Sequence, residues 1–579
     1  MKKAIIALAV APVIGAVVLA SPAFAQASPQ ISQPSREQVT PPVPDDQRAQ
    51  STVAVDASSA IERAACPLEN SDVVTDIAEV QFTGHGGAAL PPEIRVLMAG
   101  VGGAGAGQPI KVVCDIRDRA NAALRRAKYV ASVQVPPQRI ENGVLRLEVI
   151  TARIVEMRVR GDPGPYEQAL TSRIEELKAI DPLNEAEAER MLLLAGDVPG
   201  LDIQLSLRPA GGTPGDVIGE LTVAYSPLAV IGNVQNYNSR ELGRETGYVR
   251  AEFYGLTGMA DTTYVGLSST FDFKEQVIGQ LGHIMTIDNA GTTVGLRGTY
   301  AVSRPDLDTI DLRTKSFIAG IDVSHPLLRG VRTNAGVTGG FEYSTQKTRQ
   351  VGGAPLFTDK ISALFLRFSG NHRDFKQNGE ELMQVSGSLE LRKGVGIFGA
   401  SKAGVAEPNG ARPSRFDGSA RAAIIRGQLT TRLGITPWLD LATDYRAQWA
   451  DKPLLNFDEF SIGNLTVGRG YDPGSNSGDR AISGAFELRV KPISTPDYHV
   501  EVFGFYDKVH LWNRGQDPTE RNRILRSYGA GARLVLPGRA VLELTYADPQ
   551  DKALRVDDRR PPDRLLFSLT TQLVPFGGR

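Results

Sequence analysis

From Tyr225 to Arg579, strand-length segments alternate apolar and polar residues and are divided by Gly, Asn, Asp and Pro. This parity restricts the possible folds more than any other feature of the chain. In Val541–Tyr546 one face takes Leu542, Leu544 and Tyr546, and the other takes Glu543 and Thr545. Tyr528, Ala530, Ala532, Leu534 and Leu536 oppose Ser527, Gly529, Gly531 and Arg533, while Phe486, Leu488 and Val490 face away from Glu487 and Arg489. Strands of about ten residues that are apolar outside and polar inside suit a closed antiparallel β-barrel in lipid. At about 22 residues per strand and connection, the stretch holds about 16 strands, enough to leave a water-filled lumen. A large soluble β-sandwich or solenoid is the competing fold, and no internal repeat supports it.

The N-terminus sets the compartment. Lys2 and Lys3 form a positive start, Ala4 to Ala20 an apolar run, and Ala23-Phe24-Ala25 a small-x-small cleavage pattern, so residues 1–25 read as a signal peptide. A retained membrane helix is the other reading, although Ser21 and Pro22 break the run after roughly 17 residues. No later stretch is long and apolar enough to cross a bilayer as a helix, so a crossing requires strands closed on themselves. Export followed by a barrel points to the outer membrane of a Gram-negative bacterium, with the remaining domains in the periplasm. The formal net charge of -1 gives no basic footprint, which argues against a nucleic-acid partner. Gln26 to Ser59 is rich in Pro, Gln and Ser without apolar periodicity, and residues 26–66 read as a linker.

Two β-α-α-β-β units are expected before the barrel, at residues 67–152 and 153–225, with the barrel from 226 to 579. In the first, a strand at about Asp76–Thr83 precedes a helix entered at Pro91-Pro92. A second helix from Val112 to Lys128 places Val113, Ile116, Ala120, Ala123, Leu124 and Ala127 at helical spacing. Strands near Val130–Val135 and Val144–Ile150 close the unit. The second repeats the order: strand Ile154–Arg160, helix Tyr166–Leu177, a helix opening at Asn184 with Glu187 three residues on, then strands Leu201–Leu207 and Ile218–Ala224. Cys66 and Cys114, the two cysteines, are candidates for one disulfide in an oxidising compartment; two free buried thiols are the alternative.

The candidate functional segment lies between Asn456 and Arg489, where a Gly/Asn/Ser-rich loop carries Gly468-Arg469-Gly470-Tyr471 before an alternating strand. In Val500–Asp507, Val500, Val502 and Tyr506 share one face, while Glu501, Phe503, Phe505 and Asp507 share the other, which puts Asp507 on the lumen wall. A loop arginine folded inward and a wall carboxylate suit a charge-assisted pair. The bland alternative is a solvated arginine at an extracellular loop tip, contributing little.

These residues resemble a known family. The chain is similar to the outer-membrane transporters of two-partner secretion, the haemolysin-activator and filamentous-haemagglutinin transporters, in the superfamily that includes the barrel-assembly protein. Val135-Pro136-Pro137-Gln138 through Leu145 resembles the signature of the first polypeptide-transport-associated (POTRA) domain, and Asp181-Pro182-Leu183-Asn184 through Pro199-Gly200 the second. Asn236-Tyr237-Asn238-Ser239 with Thr246-Gly247 resembles the first barrel strands, and Phe457 to Tyr471 with Gly478-Asp479 the signature loop. The family's loop carries Val-Arg-Gly-Tyr/Phe and contacts the Asp of a Phe-x-Asp motif; Arg469 with Phe505-Tyr506-Asp507 matches it, and Gly468 replaces the usual Val. The ending Phe576-Gly577-Gly578-Arg579 departs from the family's frequent terminal aromatic residue. An N-terminal plug helix is common there, and Gln47 to Ala65 is the candidate here.

The resemblance implies two POTRA domains that capture an unfolded exported partner protein and a 16-stranded barrel that secretes it to the cell surface. It also implies outer-membrane lipids around the barrel and barrel-assembly machinery for insertion. Rival readings are a barrel-insertion factor, expected to carry more periplasmic modules, a passive porin without them, and a surface adhesin. No enzyme, cofactor or metal is expected. Gly394–Gly399 and Gly100–Gly105 spell a dinucleotide-binding pattern without the strand and helix it needs, so both read as turns. His85, His283 and His510 are scattered without ligand spacing.

Overall fold

The computed structural model describes residues 33–40, 55–56, 61, 66, 68–69, 71, 73–103, 105–307, 310–376, 380–495, 497–515 and 520–575. The expected signal peptide, most of the plug candidate Gln47–Ala65 and the Phe576–Arg579 ending lie outside them.

A four-residue helix, α1 (Arg36–Val39), and a two-residue strand, β1 (Val55–Asp56), come first. The first α/β unit then runs β2 (Val74–Ile77), β3 (Glu79–Gly84), α2 (Pro92–Met98), β4 (Gly105–Pro109), α3 (Val112–Arg126), β5 (Ala131–Gln134) and β6 (Val144–Thr151). α3 turns Val113, Ile116, Ala120 and Leu124 inward onto Ile94 of α2 and Leu145 and Leu147 of β6, the apolar face that its spacing predicts. The single strand expected at Asp76–Thr83 is broken at Ala78, whose N–H donates to Gly143 O at 2.8 Å. β2 therefore pairs with β4 and β3 with β6. β4 escaped the reading because Gly105-Ala106-Gly107 gives no alternation of apolar side chains.

The second unit runs β7 (Arg153–Asp162), α4 (Glu167–Lys178), α5 (Glu185–Gly196), β8 (Leu201–Pro209) and β9 (Asp216–Tyr225). Asn184 caps α5, its Oδ1 accepting from the N–H groups of Ala186 at 3.0 Å and Glu187 at 3.4 Å. The sheet order is β1-β8-β9-β7, with β1 added parallel to β8 from the N-terminal segment. The two units are stitched by Val130 N–H to Leu183 O at 3.0 Å and Leu183 N–H to Ala152 O at 2.8 Å.

Sixteen antiparallel strands follow and close on themselves. They are β10 (Leu228–Gln235), β11 (Thr246–Tyr254), β12 (Thr262–Thr270), β13 (Gln276–Thr286), β14 (Thr293–Ser303), β15 (Leu312–Arg329), β16 (Thr333–Gln350) and β17 (Pro355–Phe375). After these come β18 (Glu381–Val395), β19 (Ala423–Thr436) and β20 (Leu439–Ala450). The short strands β21 (Phe460–Ser461) and β22 (Ser477–Gly478) form a hairpin within a connection, and β23 (Arg480–Ser494), β24 (His499–Trp512), β25 (Asn522–Leu536), β26 (Ala540–Pro549) and β27 (Arg564–Val574) complete the wall. β27 pairs with β10 and leaves no sheet edge in the hydrocarbon, the condition for crossing a bilayer with strands. Side-chain parity follows the alternation: Leu488, Val502, Tyr528 and Leu544 face outward, whereas Glu501, Asp507, Ser527 and Thr545 are buried inside. The soluble sandwich is thereby set aside. Gly394, read as a turn, lies in β18, where an added Cβ would meet Ala420 O at 2.0 Å; the Gly100–Gly103 run is a loop leading to β4.

The second unit sits against the turns at one end of the barrel. Arg329 donates to both carboxylate oxygens of Asp197 at 2.7 and 2.6 Å, Asn289 donates to Glu176 at 2.6 Å, and Val331 N–H donates to Glu189 at 3.0 Å. Beside this interface burial raises the pKa of the Tyr166 phenol, whose O–H donates to Pro199 O at 3.0 Å. The connections after β10, β18 and β20 therefore lie at the opposite end, away from the second unit.

Candidate functional site: a lumen filled by a loop and a short helix

Residues 451–479, between β20 and β23, fold back into the barrel. A 3-10 turn at Asn456–Asp458 starts the descent, and β21 with β22 forms its stem. At the tip, Tyr471 N–H donates to Gly468 O at 2.9 Å, a tight turn that leaves Gly468 at φ +102°, where an L side chain is strained. Gly470 lies flat on the wall: a Cβ there would meet Pro549 N at 2.8 Å and Ser527 Cβ at 3.0 Å. Tyr471 is fully buried, its hydroxyl between Arg526 O at 3.0 Å and Asp551 O at 3.1 Å.

These contacts aim Arg469 at β24. Its backbone N–H and Nε donate to Asp507 Oδ2 at 2.9 and 3.1 Å, and its Nη2 donates to Oδ1 at 2.7 Å. The guanidinium sits 3.7 Å from the centroid of the Phe505 ring. Asp507 is 1% exposed, so its charge is compensated by this loop and by the Ser527 hydroxyl at 3.3 Å. The structure brings together Gly468, Arg469, Gly470, Tyr471, Phe505 and Asp507 in one contact set.

Sequence reasoning missed a second carboxylate. Glu487 of β23 accepts from Arg469 Nη1 and from Arg489 Nε, the latter at 2.7 Å. Strand parity put Glu487 inside, but its nearness to Arg469 depends on register: Glu487 pairs with Phe505 and Ala485 with Asp507.

The lumen also holds α1, which lies upstream of the plug candidate Gln47–Ala65. Ser35 and Gln38 form a reciprocal cap. Arg36 donates to Glu342 of β16 at 2.8 Å and to Asp458 of the inserted loop at 3.2 Å, while Gln38 donates to Asn238 at 2.9 Å. Four helical residues are too few to show a period, which explains why the pattern gave no signal. Cys66 and Cys114 are disulfide-bonded, joining the segment before β2 to α3. Among the described residues, no cluster of three or more His, Cys, Asp or Glu could hold a metal ion.

A family model described as haemolysin secretion/activation protein ShlB/FhaC/HecB matches residues 221–534, more than half of the chain. The chain is 20% identical over 444 residues to the heme/hemopexin transporter protein HuxB of Haemophilus influenzae, covering 74% of this chain and 76% of that protein. Among solved structures, CdiB from Escherichia coli aligns with a TM-score of 0.69 at 17% identity, over 91% of this chain and 95% of the other. CdiB from Acinetobacter baumannii aligns with a TM-score of 0.61 at 15% identity, over 93% and 95% respectively. The closed barrel, the preceding α/β elements and the match from the end of β9 into β25 agree: the chain belongs to the ShlB/FhaC/HecB family and is an outer-membrane two-partner secretion transporter with a secreted partner protein.

Proposed function

We propose that the two α/β units are periplasmic POTRA domains spanning residues 67–152 and 153–225, that they capture the unfolded partner, and that the Arg469 loop sets whether the lumen is open to it. The observation that carries this reading is the placement of Arg469 on Asp507 inside a closed barrel. The bidentate Arg469–Asp507 pair, with Glu487 beside it, anchors the loop tip at a defined depth, and release also has to withdraw Ile462, Val467 and Tyr471 from their apolar cluster with Val509, Leu511 and Leu525 of the wall. Capture by strand addition needs an open sheet edge. β7 pairs only with β9 among the described residues and exposes Val155 and Val159, so an extended segment could add there through backbone hydrogen bonds with little demand on sequence. The opposite edge, at β8, already carries β1.

The reading is of a conduit without enzyme activity. Its apolar outer face would contact outer-membrane lipids, and insertion would depend on barrel-assembly machinery. Removing residues 67–152 from a barrel that still reaches the outer membrane should abolish partner secretion; secretion at the normal level would refute the capture role.

A further inference from the structure

The connection between β18 and β19, residues 396–422, does not stay outside the barrel. Its Ala400 and Ala420 share one apolar cluster with Val39 of α1, Leu455 and Phe457 of the 451–479 loop, and wall residues including Ile278. The lumen filling thus has three parts: α1, the Arg469 loop and this second connection.

A polar knot joins the last two at the outer end. Arg415 Nη1 and Nη2 donate to the two carboxylate oxygens of Asp479 at 2.8 and 3.1 Å, and Nη1 also donates to Glu459 at 2.7 Å. Asp479 is 0% exposed and accepts two more hydrogen bonds at 2.7 Å, from the backbone N–H of Leu454 and of Arg514. One carboxylate therefore ties the 396–422 loop, both ends of the 451–479 loop and the connection after β24. Backbone ties run alongside it: Ser419 N–H to Pro453 O at 2.9 Å and Asn456 N–H to Ser414 Oγ at 3.1 Å.

We infer that Arg415 and Asp479 form a second latch, distinct from Arg469 and Asp507, and that the 396–422 and 451–479 loops must part there before a protein can leave the barrel. The inference rests on transport through the lumen. The Arg469 loop is anchored at its tip, by residue 469, and at its far end, by residue 479, so freeing the deep anchor leaves the outer one shut. The charged knot makes the outer closure specific: a buried carboxylate that loses its guanidinium partner is strongly disfavoured, so Asp479 resists any rearrangement that does not supply another cation.

The test is a pair of cysteines at Ser414→Cys and Asn456→Cys in the full chain, with each single variant and the unaltered protein carried through the same oxidant and reductant. Oxidation of the double variant should cut partner secretion by about tenfold or more, and reduction should restore it, while the controls stay unchanged. In planar bilayers, Arg415→Gln should raise open-channel occupancy by at least about tenfold, because the closed state then holds a buried carboxylate without its guanidinium partner. Secretion by the stapled protein at the level of the controls, or Arg415→Gln channels that open no more often than the unaltered ones, would overturn the latch. Loss of secretion from the unaltered protein as well would be an effect of the oxidant and not of the staple, and the bilayer measurement would then decide the latch on its own.

Discussion

Arg469 illustrates what a single residue can do inside a barrel. A guanidinium and a carboxylate taken out of water are favourable only when each satisfies the other, so deleting one partner costs about 3–5 kcal/mol and leaves the other charge stranded. Arg469→Ala should therefore release the loop tip and sharply reduce partner secretion, with the barrel still folded as judged by its heat-modifiable migration. Arg469→Lys should restore only part of the activity, because an ammonium cannot make the paired contacts to both oxygens of Asp507. The neighbouring Gly468 shows a local adjustment: the family's usual valine at this place would have to adopt φ +102°, costing about 1–3 kcal/mol. Gly468→Val should thus lower secretion in this chain, and a variant indistinguishable from the unaltered protein would show that the turn relaxes. Strand parity put Asp507 on the lumen wall, and the family resemblance paired it with Arg469. Glu487 was not legible, because the register of β23 on β24 cannot be counted from a single strand.

Among the elements, the barrel strands were the most readable and the short pieces the least. A strand that meets lipid outside and water inside must alternate, so β24, β25 and β26 carry their orientation in their residues. Leu544, outward near the middle of β26, should tolerate arginine poorly: Leu544→Arg is expected to destabilise the barrel by about 2–4 kcal/mol in urea unfolding. α1 and β1 are too short for any period, and β4 is glycine-rich; tertiary contacts hold all three. The Cys66–Cys114 bond closes a loop of 48 residues around the start of the first α/β unit. Replacing both cysteines by serine should cost this unit about 4 kcal/mol, by the loop-closure argument, and should appear as faster proteolysis of the first α/β unit in the full-length protein.

At the scale of the whole molecule, the second α/β unit is held to the barrel by polar contacts at exposed turns, Arg329 on Asp197 among them, and by the barrel turn residue Ala260 entering its apolar core. Arg329→Ala should loosen the unit without unfolding either part, which spin-label distances between α5 and the turn after β15 would report as a broadened distribution. The amino-acid order alone determined that the chain crosses a membrane as strands, about how many, which side chains face the lumen, and that α/β elements precede the barrel. These properties follow from repeated local preferences, apolar to lipid and polar to water, summed over many residues. What fills the lumen besides the Arg469 loop was decided only in three dimensions. α1 on Glu342, the 396–422 loop on Asp479 and Glu487 beside Arg469 are particular contacts between residues 306, 64 and 18 positions apart in the chain, and such contacts leave no periodic trace in the sequence.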